Sequence, residues 1–142
     1  MPDRPTFYAD RCLGKAVPRA LRAAGAQIEI HDDHFVQDAA DEDWISEVSS
    51  RGWIILTKDK NIRRPGGERE AVLKANARVI TLSSGNMLRD DIIALFVGRL
   101  AEMEQLAVDR SPPFVAILGP GGIEIVIPPP SSAPPGEEGE TK

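Results

Sequence analysis

Asp10, Asp41 and Asp59 are the residues of this 142-residue chain whose type and placement point to chemistry. Asp10 follows the apolar run TFYA (6–9), and Asp59 follows WIIL (53–56) across Thr57 and Lys58. Asp41 precedes Trp44, Ile45 and Val48 by three, four and seven residues, which puts it on the apolar side of a helix, leaning inward at its start. Glu42 lies about 100° further round, and Asp43 and Glu47 fall on the solvent side. Carboxylates gathered at one place repel one another unless a cation joins them. Oxygen donors select Mg²⁺ or Mn²⁺ over softer metals. A cation so held activates water and stabilises charge at a phosphate. Taken singly, each aspartate serves equally well as a helix cap or a loop residue after a strand; the conjunction of three carries the functional reading.

Basic residues flank these acids. Lys58, Lys60, Arg63 and Arg64 surround Asp59, and Arg11 and Lys15 follow Asp10 near a helix N-terminus that itself favours anions. They suit contacts to phosphates beside a metal, although a solvated loop accounts for the same composition. His31 and His34 look like metal ligands but lack the i, i+4 spacing that puts two histidines on one helix face; a hydrogen-bonded, aspartate-rich turn is the plainer role. Cys12 is the one cysteine, which excludes an intramolecular disulfide and a zinc finger. Its neighbour Asp10 raises its pKa, so a thiolate nucleophile is not expected. Ser83-Ser84-Gly85 is no nucleophile elbow, and neither Gly66-Gly67 nor Gly119–Gly122 has the spacing of a phosphate loop.

These side chains need elements to hold them. Helices are expected over Leu13–Ala24, with Pro18 imposing a bend or a late start, then over Asp41–Arg51, Glu68–Asn76 and, as one long helix capped by Ser84 or Asn86, Met87–Leu106. Strands are expected over Thr6–Ala9, Gln27–Ile30, Trp53–Leu56 and Arg78–Leu82, with a loop over His31–Ala40. Phe114–Leu118 and Ile123–Ile127 flank Gly119–Gly122 as a closing hairpin. This alternation implies an α/β fold with a mostly parallel twisted sheet flanked by helices on both faces. Ligands then bind at the carboxyl ends of the strands, where Asp10 and Asp59 stand.

Residues 128–142 hold five of the chain's twelve prolines and no side chain able to build a core, so they read as a disordered tail behind a folded unit over 1–127. The net charge of −5 excludes coating nucleic acid by bulk charge; any such contact must be a local basic patch. No apolar stretch of about 18 residues spans a membrane, and the first residues do not read as a signal peptide. The expected setting is the cytoplasm.

The ordered series YADRCLG, HDDHF, DEDWI, RGWIILTKDKNIRR and LSSGN resembles PIN-like domains of the VapC45-like toxin group, over nearly all of residues 6–127. That resemblance implies a PIN-like three-layer fold and a metal-dependent endoribonuclease, the toxin of a toxin–antitoxin pair. It implies Asp10, Asp41 and Asp59 as metal-binding and catalytic acids using Mg²⁺ or Mn²⁺, with Glu42 as a substitute or helper for Asp41. Arg11, Lys15, Lys58, Lys60, Asn61 and Arg63 would then meet the RNA. Its partners would be an RNA substrate and a cognate antitoxin; dimers are common in the family. Many PIN domains carry a further acid where this chain has Asn61, so a second metal would be held weakly or with RNA phosphates as ligands. Two other classes remain open on the residues. A phospho-receiver-like signalling domain also places aspartates after its first and third strands, but it needs paired acids after strand one and a lysine after strand five, where this chain has Arg11 and Gly119. A catalytically silent PIN-like module would bind RNA or protein only.

Overall fold

A computed structural model describes residues 5–30, 41–59, 62, 69–84 and 87–127, with backbone alone for 41–43 and 127. The expected loop at 31–40 and the expected tail at 128–142 lie outside the described residues. Strand β1 (Thr6–Ala9) leads through a 3-10 turn (Arg11–Leu13) into α1 (Ala16–Ala23), followed by β2 (Gln27–Ile30). The late start of α1 has a local cause. Gly14 takes a left-handed φ of 71°, and the first helical turn then begins close enough to Pro18 that its missing N–H costs no intrahelical bond. Helix α2 (Asp41–Ser50) closes at Gly52, φ 77°, and the Trp53 N–H donates back to the Val48 carbonyl at 3.3 Å. That bond keeps Trp53 out of the strand, so β3 runs Ile54–Thr57, one residue later than its apolar run predicts.

Helix α3 (Arg69–Ala75) ends at Asn76, which takes the left-handed conformation, and β4 is Arg78–Leu82 as expected. The predicted single helix over Met87–Leu106 is corrected to two, α4 (Arg89–Gly98) and α5 (Leu100–Asp109). Gly98 is a poor helix former. Arg99 leaves the helical region with ψ 13°, and its guanidinium donates to the Pro120 carbonyl at 3.0 Å, fixing the corner. Leu88 occupies the N-cap of α4 without a side-chain cap; Ser84 does not fill that role, and Asn86 lies outside the described residues. Strands β5 (Phe114–Gly119) and β6 (Gly122–Ile127) form the hairpin.

Among the described residues six strands make one sheet in the order β2-β1-β3-β4-β5-β6, parallel except for β6. Alternation along the strands divides the core. Phe7, Ala9, Ile54, Leu56, Ile80 and Leu82 pack against α1, α4 and α5 on one face. Tyr8, Ile55, Val79 and Val115 meet Trp44, Ile45 and Val48 of α2 and Val72 of α3 on the other. The result is three layers, with β3 buried along its whole length as a doubly covered strand requires.

Smaller polar contacts fasten the margins. Arg22 donates to the Ile28 carbonyl of β2 at 2.6 Å, and Val126 is an extra, bulged residue in the β5–β6 ladder. At the amino ends of the strands, the Arg78 guanidinium donates to the Ala107 carbonyl of α5 at 2.9 Å and to the Gly52 carbonyl at 2.6 Å, tying both helical layers to β4. Arg78→Ala leaves both carbonyls without their charged donor. We expect a loss of about 2 kcal/mol, read as a lower urea midpoint at unchanged m-value; an unaltered midpoint would show the clasp to be idle.

Candidate active site

The order β2-β1-β3-β4-β5 reverses direction between β1 and β3, the place where open α/β sheets form a crevice. Asp10 leaves the carboxyl end of β1 and Asp59 follows the carboxyl end of β3, so the two acids stand side by side across that crevice. The Asp10 N–H donates to the Leu56 carbonyl at 3.0 Å, extending the ladder one step beyond the strands.

One hydroxyl joins the two. Thr57, fully buried at the last position of β3, donates from Oγ1 to Asp10 Oδ2 at 2.8 Å and accepts the Asp59 N–H at 3.1 Å. Cys12 completes the knot from the 3-10 turn. Its thiol donates to Asp10 Oδ2 at 3.4 Å, lies 3.2 Å from Thr57 Oγ1, and accepts the Lys58 N–H at 3.4 Å. Asp10 is thus aimed by two donors from different segments.

Burial, and after it the neighbouring Asp10 charge, push the Cys12 thiol up to about 11, the direction expected from sequence with a larger cause than the one foreseen. A neutral thiol is neither nucleophile nor good metal ligand. Alkylation of folded Cys12 should therefore be slow at about pH 8 and still accelerating near pH 10; a plateau near the ordinary thiol range would contradict this burial. Because the unfolded thiol ionises first, from 9.0, its contribution to stability is whole below that pH and is lost as pH climbs toward 11.

Helix α2 packs on the face that carries Thr57 and leads back to the amino end of β3, so its first residue, Asp41, lies toward the carboxyl edge of the sheet. Trp44, Ile45 and Val48 are buried and Glu47 is exposed, as the spacing predicts. The side chains of Asp41 and Glu42 lie outside the described residues, as do Lys60, Asn61, Arg63, Arg64, His31 and His34. Arg11 and Lys15 are exposed at the turn before α1, and Lys58 is half-buried beside Asp59. Among the described residues no three His, Cys, Asp or Glu side chains surround one point closely enough to hold a metal ion. What converges is the Asp10 carboxylate, the Thr57 hydroxyl and the neutral Cys12 thiol; the oxygens among them are the donor type a hard divalent cation takes.

Sequence reasoning missed Thr57 and the contacts of Cys12. The signal available was weak: a threonine ending an apolar run reads as strand, and only the β1/β3 register shows that it faces Asp10.

Among the described residues no helix is long and apolar enough to cross a membrane. No solved structure matches the chain. A protein of Mycobacterium tuberculosis (strain ATCC 25618 / H37Rv), named "Putative ribonuclease VapC45", is 33% identical over 131 residues, 88% of this chain and 94% of its own length. Residues 5–84, which carry Asp10, α2, Thr57 and Asp59, match the family described as PIN like domain. With that match and that relative, the chain belongs to the PIN-like domain family.

Proposed function

We propose that this protein is a metal-dependent endoribonuclease, the toxin of a toxin–antitoxin pair, acting in the cytoplasm. Residues 1–127 form its nuclease domain, and 128–142 a tail outside it. The observation that carries the reading is the pair of acids at the crevice, Asp10 and Asp59, bridged by the buried Thr57 hydroxyl. The relative named as a ribonuclease supports the substrate class.

Asp10, Asp41 and Asp59 would hold Mg²⁺ or Mn²⁺, with Glu42 assisting Asp41. The cation, when bound, polarises phosphate oxygens and lowers the pKa of water. Thr57 and Cys12 hold the Asp10 carboxylate at the crevice before a cation binds. Lys58 beside Asp59, with Arg11 and Lys15 after β1, offers charge to the RNA backbone; Lys60, Asn61 and Arg63, which follow in the sequence, would add RNA contacts of their own. These contacts position phosphates without reading sequence. An antitoxin would silence the site by setting a basic side chain among the carboxylates.

The deciding experiment incubates purified full-length protein with RNA, with and without Mg²⁺ or Mn²⁺. Cation-dependent internal cleavage is expected. Intact RNA under every condition would leave a silent PIN-like domain. Recovery of no stoichiometric small protein from the native host would remove the toxin–antitoxin part alone.

A further inference from the structure

The polar row at the crevice extends one strand further than the acids require. Thr57 of β3 is the ladder partner of Thr81 of β4. Both alternate with residues of the α2–α3 face, Ile55 and Val79, so their side chains share that face. Both are fully buried. Thr57 Oγ1 is crowded, with Asp10, Cys12 and the Asp59 N–H around it. Thr81 Oγ1 has no hydrogen-bond partner among the described residues. The other such atom, Ser49 Oγ, sits in the last turn of α2, at the opposite edge of the sheet.

A buried hydroxyl without a partner destabilises the fold relative to an isosteric methyl, and native proteins seldom keep one without cause. Neighbouring strands lie about 4.8 Å apart, and threonines side by side on one face can share a hydrogen bond. The Thr57 O–H therefore has Asp10 Oδ2, which it uses here, Cys12 Sγ at 3.2 Å, and, across the ladder on the same face, the oxygen Thr81 Oγ1. We infer that Thr81 is a positioning residue of this site acting through Thr57: it accepts the Thr57 O–H when Asp10 turns its Oδ2 to a ligand. The inference rests on the cation-holding reading above. It gives the orphan hydroxyl a partner in the second state, and lets Asp10 change partners without stranding the Thr57 proton.

The test is calorimetric titration of the metal-free full chain with Mn²⁺, alongside thermal melts without it. Thr81→Val should raise the melting temperature and still weaken Mn²⁺ binding about tenfold, a typical cost for removing a group behind a ligand. Thr81→Ser should bind as wild type does. In a Thr57→Val background, Thr81→Val should cost nothing further, because the residue through which it acts is gone. Wild-type affinity in Thr81→Val, or an equal loss in both backgrounds, overturns the inference. Asp59→Asn separates the two levels of failure: if it binds Mn²⁺ like wild type, the cation site itself is wrong and this inference falls with it.

Discussion

Asp59→Asn is expected to leave the protein folded while lowering both divalent-cation affinity and RNA cleavage by at least about 100-fold. Removing a residue that merely supports a ligand costs about 10–100-fold, so removing a ligand's charge costs no less than the upper end of that range. Asparagine keeps the shape of aspartate and its capacity to hydrogen-bond, but not the anion. The backbone N–H that Asp59 gives to Thr57 is untouched by the change. One fewer carboxylate beside Asp10 relieves repulsion in the metal-free state, so stability should hold within about 0.5 kcal/mol or rise slightly. Melts with and without Mn²⁺ check both halves. A plain structural role predicts another pattern: an Asp41 that only begins α2 costs about 1 kcal/mol as Ala and leaves the cation-dependent shift intact. Retention of wild-type shift and cleavage by Asp10→Asn, Asp41→Asn and Asp59→Asn alike would dismiss the acids as a site.

Thr57→Val removes one hydroxyl from the centre of the site. Asp10 loses its closest donor, and the Asp59 N–H loses its acceptor. The Thr57 side chain is fully buried and makes both of these bonds, so stability should fall by about 1–3 kcal/mol. Cleavage should fall about 10–100-fold, because the carboxylate loses the hydroxyl that supports it at the crevice. Thr57→Ser keeps the hydroxyl and should recover most of both. If Thr57→Val cleaves RNA at the wild-type rate, Asp10 needs no bridging partner.

Much of this architecture is legible in the sequence. WIIL reads as a strand covered on both faces, and the strand it gives is Ile54–Thr57, one residue later; Arg78–Leu82 is a strand over the range its sequence predicts. Asp10 and Asp59 were placed at the right edge because parallel strands all end there. What failed had local causes. Gly98 was read through, since a single glycine does not break an apolar pattern unless something such as Arg99 pins the corner. Thr57 and Thr81 were invisible as a pair: they are 24 positions apart and meet only through the β3/β4 register. Likewise the turn from Asp10 to Gly14 carries no periodicity that would show Cys12 folding back onto the end of β3.

Among the described residues β2 and β6 are the outer strands of the sheet, the positions at which a sheet can template growth with other copies of a chain. Both are blunted. On β2 the Arg22 guanidinium occupies the Ile28 carbonyl, lending that margin a charge and a side chain a foreign strand would have to displace. On β6 the bulge at Val126 breaks the regular repeat, and three prolines follow Ile127 at once, removing consecutive donors. Both features work against strand addition at the flanks of a largely parallel sheet, Arg22 by a charge and an occupied carbonyl, Val126 by a broken register.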